Sequence, residues 1–126
     1  ADLDGDGLLD LVVVNRMAPL EVYRNISAPT GRWLSVDVHQ PSPNTRAIGG
    51  WIEVMDEMGL QVRELTVGGG HAGGMAGPEH FGLGRAGGAM IRVIWPDASA
   101  TQWMGVNANQ RLRITRNGDS VDLHPY

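Results

Sequence analysis

Apolar residues recur at every second position through most of this chain, and that period commits it to strands. Leu34, Val36 and Val38 alternate with Ser35, Asp37 and His39. Ile52 and Val54 alternate with Trp51, Glu53 and Met55; Ile91, Val93 and Trp95 alternate with Arg92 and Ile94; Leu112 and Ile114 alternate with Arg111, Arg113 and Thr115. In 60–67 the phase slips, with Leu60 and Val62 on one parity and Leu65 and Val67 on the other, which predicts a bulge or a strand buried on both sides. Helical periodicity is almost missing, so the expected fold class is all-β.

Turn residues punctuate the runs: Ala28-Pro29-Thr30-Gly31, Pro41-Ser42-Pro43-Asn44, Glu57-Met58-Gly59, Pro96-Asp97 and Asn117-Gly118-Asp119. Asn117-Gly118 between Ile114 and Val121 predicts a tight hairpin. Gly68 to Gly88 has no period and holds ten glycines, so it is expected to be a loop crossing the body of the domain. The chain divides into residues 1–27, a loop and hairpin with strands near 8–14 and 20–25, and residues 32–124, about seven strands of a β-sandwich or jelly-roll-like body. With 126 residues, the body can bury a core without disulfide or metal staples.

The strongest chemical signal lies at the N-terminal end. Asp2, Asp4, Asp6 and Asp10 occupy positions 1, 3, 5 and 9 of one short loop, and the backbone carbonyl of Leu8 occupies position 7. Calcium is a hard cation that takes six to eight oxygens, and carboxylates at alternate positions of a tight turn can converge on it. Gly7 follows the third Asp, where the chain must turn sharply. Without an ion, four carboxylates this close repel one another. The expected metal site is therefore Asp2, Asp4, Asp6, Leu8 and Asp10, and the expected cofactor is Ca2+. This is not an EF-hand, because position 12 is Val13 rather than a bidentate Glu and a strand follows.

Other chemistries find little footing. The net charge is −4, and nine residues carry four of the 14 acids, so the remainder is nearly neutral and no nucleic-acid partner is expected. All ten basic residues are Arg. The absence of Cys rules out thiolate metal sites and disulfides but leaves the redox compartment open. No apolar run reaches 18 residues, so no membrane span is expected. Gly82-Leu83-Gly84-Arg85-Ala86-Gly87 matches a dinucleotide-binding string, but it runs into a strand instead of a helix and reads as a turn. His71, Glu79 and His80 fit no zinc spacing. Ser27, Ser35, Ser42, Ser99 and Ser120 lie in no nucleophile elbow, and Asp56-Glu57 falls at a hairpin turn, so no catalytic residue is assigned and the chain is expected not to be an enzyme. Of Trp33, Trp51, Trp95 and Trp103, Trp95 shares the core parity and Trp51 does not, which makes Trp51 the candidate for an exposed glycan platform. Asn25-Ile26-Ser27 is a glycosylation sequon.

Leu8 to Val14 is apolar at six of seven positions and lacks a solvent face. Such strands are covered on both sides, and a lone hairpin is marginal in water. The expected partner is a protein, or further copies of this chain, pairing with the N-terminal hairpin. Because the chain opens one residue before the acidic motif, it reads as a piece of something longer.

Asp2 to Val14 resembles the calcium loop and first strand of an FG-GAP/VCBS-type repeat, the blade unit of integrin-like β-propellers. Residues 32–115 resemble the ASPIC/UnbV domain found toward the C-terminal end of cartilage acidic protein-like proteins. The matching pieces are Arg32-Trp33-Leu34, Arg46-Ala47-Ile48-Gly49, Gln61-Val62-Arg63-Glu64, His80-Phe81-Gly82-Leu83-Gly84, Val93-Ile94-Trp95-Pro96 and Asn107-Ala108-Asn109-Gln110. The resemblance implies a secreted or cell-surface protein engaged in calcium-dependent binding, adhesion or self-assembly, with no known reaction. The motif segments Arg46–Gly49 and His80–Gly84 are then fold determinants rather than a site. The alternative reading is a carbohydrate-binding module of a larger exported protein, with Trp51 at its platform.

Overall fold

Short β-branched runs separated by Gly, Pro and Asn turns give the structure its pattern. The computed structural model describes residues 1–28, 31–70, 73–74 and 77–126. Among them are twelve strands and no helix. The chain forms two compact units, Ala1–Thr30 and Gly31–Tyr126.

The first unit holds one hairpin, β1 (Leu11–Val13) with β2 (Glu21–Tyr23), antiparallel with Val12 opposite Val22. Both strands are shorter than the sequence pattern suggests. Neither has a sheeted neighbour beyond the other among the described residues.

The second unit contains two four-stranded sheets. One is ordered β12-β11-β3-β8, where β3 is Arg32–His39, β8 Glu79–Gly84, β11 Gln110–Asn117 and β12 Ser120–Pro125. The other is ordered β10-β9-β4-β5, where β4 is Trp51–Asp56, β5 Gly59–Glu64, β9 Gly88–Ile94 and β10 Met104–Asn107. A minor ribbon joins β6 (Gly68–Gly70) to β7 (Gly73–Gly74). The inward residues of both sheets, among them Leu34, Val36, Phe81, Leu83, Leu112 and Ile114 from one and Ile52, Val54, Ile91 and Val93 from the other, make one buried cluster. The sheets therefore pack face to face as a sandwich. Full burial of such a side chain contributes about 1.5–3 kcal/mol before entropy is counted.

Local chemistry explains the corners. Asn117 and Ser120 pair across a two-residue turn, and Gly118 adopts φ +62°, as that turn requires. Gly50 cannot be replaced, because a Cβ there would lie 2.8 Å from the Ile94 carbonyl oxygen and 3.0 Å from that of Ala47.

Three sequence expectations need correction, and one further burial was not legible in the alternation. The sandwich unit has ten strands among its described residues, not about seven, because short Gly-rich pieces also pair. The stretch from Gly68 to Gly88 is not all loop: Glu79–Gly84 is a core strand, with Phe81 and Leu83 fully buried. The intervening glycines concealed its period of two. The slip in 60–67 marks neither a bulge nor a doubly buried strand. β5 pairs with β4 in unbroken register, ends at Glu64, and exposes Leu60, while the buried Leu65 follows it. Finally, Ser35 and Asp37 share the polar parity of β3 yet are buried, because β3 lies inside its sheet.

Candidate metal centre

The acidic loop is organised by its own backbone. Asp2 accepts from the Gly5 amide through Oδ1 (2.7 Å) and from the Gly7 amide through Oδ2 (3.1 Å). Asp4 Oδ1 accepts from the Asp6 amide (3.3 Å), and Asp6 Oδ1 accepts from the Leu8 amide (2.9 Å). Gly5 and Gly7 turn the chain with φ of 79° and 89°, conformations that a side chain would strain. Asp10 ties the loop to the hairpin: its Oδ2 accepts from the Leu3 amide (2.9 Å) and its Oδ1 from the Asn25 amide (2.8 Å). Those two donors, Asn25 first and Leu3 second, hold its carboxyl below the usual carboxylate range against the opposing effect of burial.

One carboxylate oxygen each of Asp2, Asp4 and Asp10 lie within 4.8 Å of one another. Oxygens bound to one calcium at about 2.3–2.6 Å stand no more than about 5 Å apart, so the spacing and the all-oxygen chemistry both fit that ion. Asp6 is not in this group; its Oδ2 sits 3.5 Å from Arg24 Nη2. Arg24 Nε also lies 2.7 Å from Asp4 Oδ2, and its side chain is 66% exposed. A solvated guanidinium thus supplies counter-charge to Asp4 and Asp6. His71 lies outside the described residues. Glu79 and His80 are neighbours on β8, where His80 stacks on Trp33 at 5.9 Å between ring centroids.

A second polar centre escaped the sequence reading. Asp37, 5% exposed, accepts from Arg113 (Nη2 3.0 Å, Nε 3.2 Å) and is bonded to His39 Nε2 (2.8 Å), all through Oδ2. Arg46 Nη2 lies 3.3 Å from its Oδ1. The only sequence signal was an acid in mid-strand, and its significance depends on β3 being an inner strand.

The tryptophans divide as their parity suggests. Trp95 is buried under the Arg116 guanidinium, Trp103 is covered by Arg92, and Trp33 by His80. Trp51, 40% exposed, has no such partner among the described residues. No helix among the described residues is long and apolar enough to cross a membrane.

Comparison with known proteins places the sandwich. Residues 40–121 match the family described as ASPIC and UnbV. The chain belongs to the ASPIC and UnbV family. It is 36% identical over 104 residues to cartilage acidic protein 1 of Mus musculus and 35% identical over 104 residues to that of Homo sapiens. The Xenopus tropicalis protein of the same name is 32% identical over 100 residues. Each match takes in 76% of this chain and 15% of the relative, so the chain spans a small part of the curated relatives' length.

Within the ASPIC and UnbV domain the motif segments carry structural tasks. In Arg46–Gly49, Ala47 is buried at φ +50°, its amide donates to the Asn44 carbonyl (3.0 Å), and the Gly49 amide donates to the Leu65 carbonyl (2.8 Å). In Asn107–Gln110, Asn109 at φ +59° accepts from the Trp33 amide through Oδ1 (3.2 Å) and donates its own amide to the Trp33 carbonyl (2.6 Å). The Gly82–Gly87 string closes β8 and turns into β9.

Proposed function

We propose that this ASPIC and UnbV chain is a non-catalytic, extracellular interaction module whose N-terminal unit is an FG-GAP/VCBS-type element loaded with calcium. The observation that carries the proposal is the convergence of Asp2, Asp4 and Asp10. Asp6 and the Leu8 carbonyl complete the expected ligand set, with Asp6 turning inward once the ion replaces Arg24. The name of the relatives, cartilage acidic protein, favours an extracellular setting. A binding role fits the state of two sandwich acids: buried Asp37 pairs with Arg113 and is hydrogen-bonded to His39, and half-buried Glu53 pairs with Arg92.

The partner is a protein surface or a second copy that covers the hairpin. Leu11, Val12, Val22 and Tyr23 are all exposed on both strands, and unpaired strand edges attract further strands. Calorimetric titration with calcium and magnesium tests the metal reading: saturable calcium binding with much weaker magnesium binding is expected, and Asp2→Ala should abolish it. Equal heats for both ions, or none, would refute it. Light scattering with and without calcium tests the partner reading. Assembly beyond a monomer supports self-pairing; a monomer in calcium with β1 amides protected from exchange would remove it.

A further inference from the structure

We propose that a recess beside the C-terminal half of β3, bounded by Asp37, Arg46, Thr66 and Glu79, binds a neutral polyol of monosaccharide size. Neither Trp51 nor any residue of the acidic loop is used by this site, and it stands whether or not the loop takes calcium.

The recess follows from register. β8 begins at Glu79, opposite Val36, so Asp37 to His39 have no strand on that side among the described residues. The gap is a cavity of about 260 Å³, walled by Val38, Ile48, Leu65 and Val67, with the four polar residues on its lining. That is below the roughly 300–1,000 Å³ of pockets for drug-sized ligands, and it suits one sugar ring.

The polar end is incompletely used. Asp37 is more than nine-tenths buried, and Arg113 and His39 occupy its Oδ2. Its Oδ1 is buried with no hydrogen-bond partner. Arg46, 3.3 Å away, is near enough for ion pairing, and its side chain is half exposed. Buried carboxylate oxygens are rarely left without a donor. A ligand hydroxyl that donates to Oδ1, with Arg46 turned to donate to a ligand oxygen, supplies one. Adjacent hydroxyls, each donor and acceptor, match this acid–guanidinium pair.

Charge selects the ligand class. Arg46 and Arg113 already compensate Asp37, so an ammonium group would add unbalanced positive charge, while an anion would face Asp37 and Glu79. Burial raises the Glu79 carboxyl above its usual range, with Arg63 opposing, which suits an uncharged partner. The aliphatic walls receive the C–H face of the ring.

The test is an amide-resolved NMR titration of the full chain with methyl glycosides of glucose, galactose, mannose and fucose, with n-butylamine as the charged control. We expect saturable shifts at Asp37, Ile48, Thr66 and Glu79 with at least one glycoside, at millimolar Kd. Glu79→Gln should weaken that binding by about tenfold, the effect of losing one hydrogen bond to a charged group, with an unchanged melting temperature. Asp37→Asn is informative only if its spectrum stays dispersed; Glu79→Gln keeps the test decisive if it does not. Three results would overturn the proposal: no saturable shift with any glycoside, shifts with butylamine alone, or shifts confined to Trp51. An unchanged affinity in Glu79→Gln would do the same.

Discussion

The two units of this chain bury opposite things. In residues 31–126 the interior is mainly apolar, Ser35 and Asp37 aside: all seventeen buried hydrophobic residues among those described lie there, and Leu34, Ile52, Phe81, Leu112 and Ile114 have no exposure. Among the described residues of the first unit no hydrophobic side chain is buried, while Asp10 is, and Leu11, Val12, Val14, Val22, Tyr23 and Ile26 are exposed. Burial of apolar surface is the main driving force for folding, and it is nearly spent inside the sandwich and scarcely used in the hairpin. Backbone amides aimed at carboxylates organise the small unit instead. Under the proposed function such a unit gains its stability from what it binds, and the sandwich from its own core.

The contrast can be broken most severely in the sandwich. Phe81→Ala should destabilise residues 31–126 by about 3–5 kcal/mol, through lost burial and the cavity left behind. Urea unfolding monitored by tryptophan fluorescence measures it, and a loss under about 1 kcal/mol would show that the core relaxes freely around β8. The same variant should leave calcium binding by the loop unchanged.

Calcium sharpens the comparison from the other side. At ten times its Kd it should stabilise the small unit by about 1.4 kcal/mol, by linkage for a ligand that binds only the folded form. Hydrogen exchange of residues 1–28 with calcium and with chelator reads this gain. Exchange in β9 and β11 should not respond. Asp10→Ala should remove the gain and speed exchange at the Leu3 and Asn25 amides, which lose their acceptor.

Smaller effects separate covered from uncovered apolar surface. Val12→Thr and Val22→Thr should change stability by no more than about 0.5 kcal/mol in a chain whose hairpin is solvated. In an assembled state the same changes should weaken association, which sedimentation velocity would detect.

The smallest effect is a pH dependence in the sandwich. Hydrogen bonds from the Ser99 hydroxyl and amide, and then Arg116, lower the Asp97 carboxyl from 3.8 to about 2. A depressed carboxylate favours the folded form above its unfolded value. That contribution is therefore present above about pH 4 and fades as pH falls toward 2. An NMR titration of Asp97 should give a midpoint near 2, and Ser99→Ala should move it upward. An ordinary midpoint in the wild type would remove Asp97 from any acid-dependent behaviour.

Local periodicity determined a good deal unaided. Alternating residues placed Leu34, Ile52, Ile91, Leu112 and Ile114 inward, set Trp95 inside and left Trp51 outside, and Asn117-Gly118 marked its hairpin, because pleat and turn chemistry are written within a few residues. The alternating acids predicted a shared point for Asp2, Asp4, Asp6, the Leu8 carbonyl and Asp10; the structure groups carboxylates of Asp2, Asp4 and Asp10 within 4.8 Å and leaves Asp6 out. Tertiary structure alone decided which strands became inner strands. The parallel pairing of β3 with β11 joins segments far apart in sequence, and it buries Asp37 and brings Arg113 to it. It also decided that Phe81 and Leu83 complete a sheet despite their glycine neighbours, and that Asp6 faces Arg24 while three other acids converge. Strand order and ion pairing across 76 residues depend on long-range contacts that no local pattern encodes.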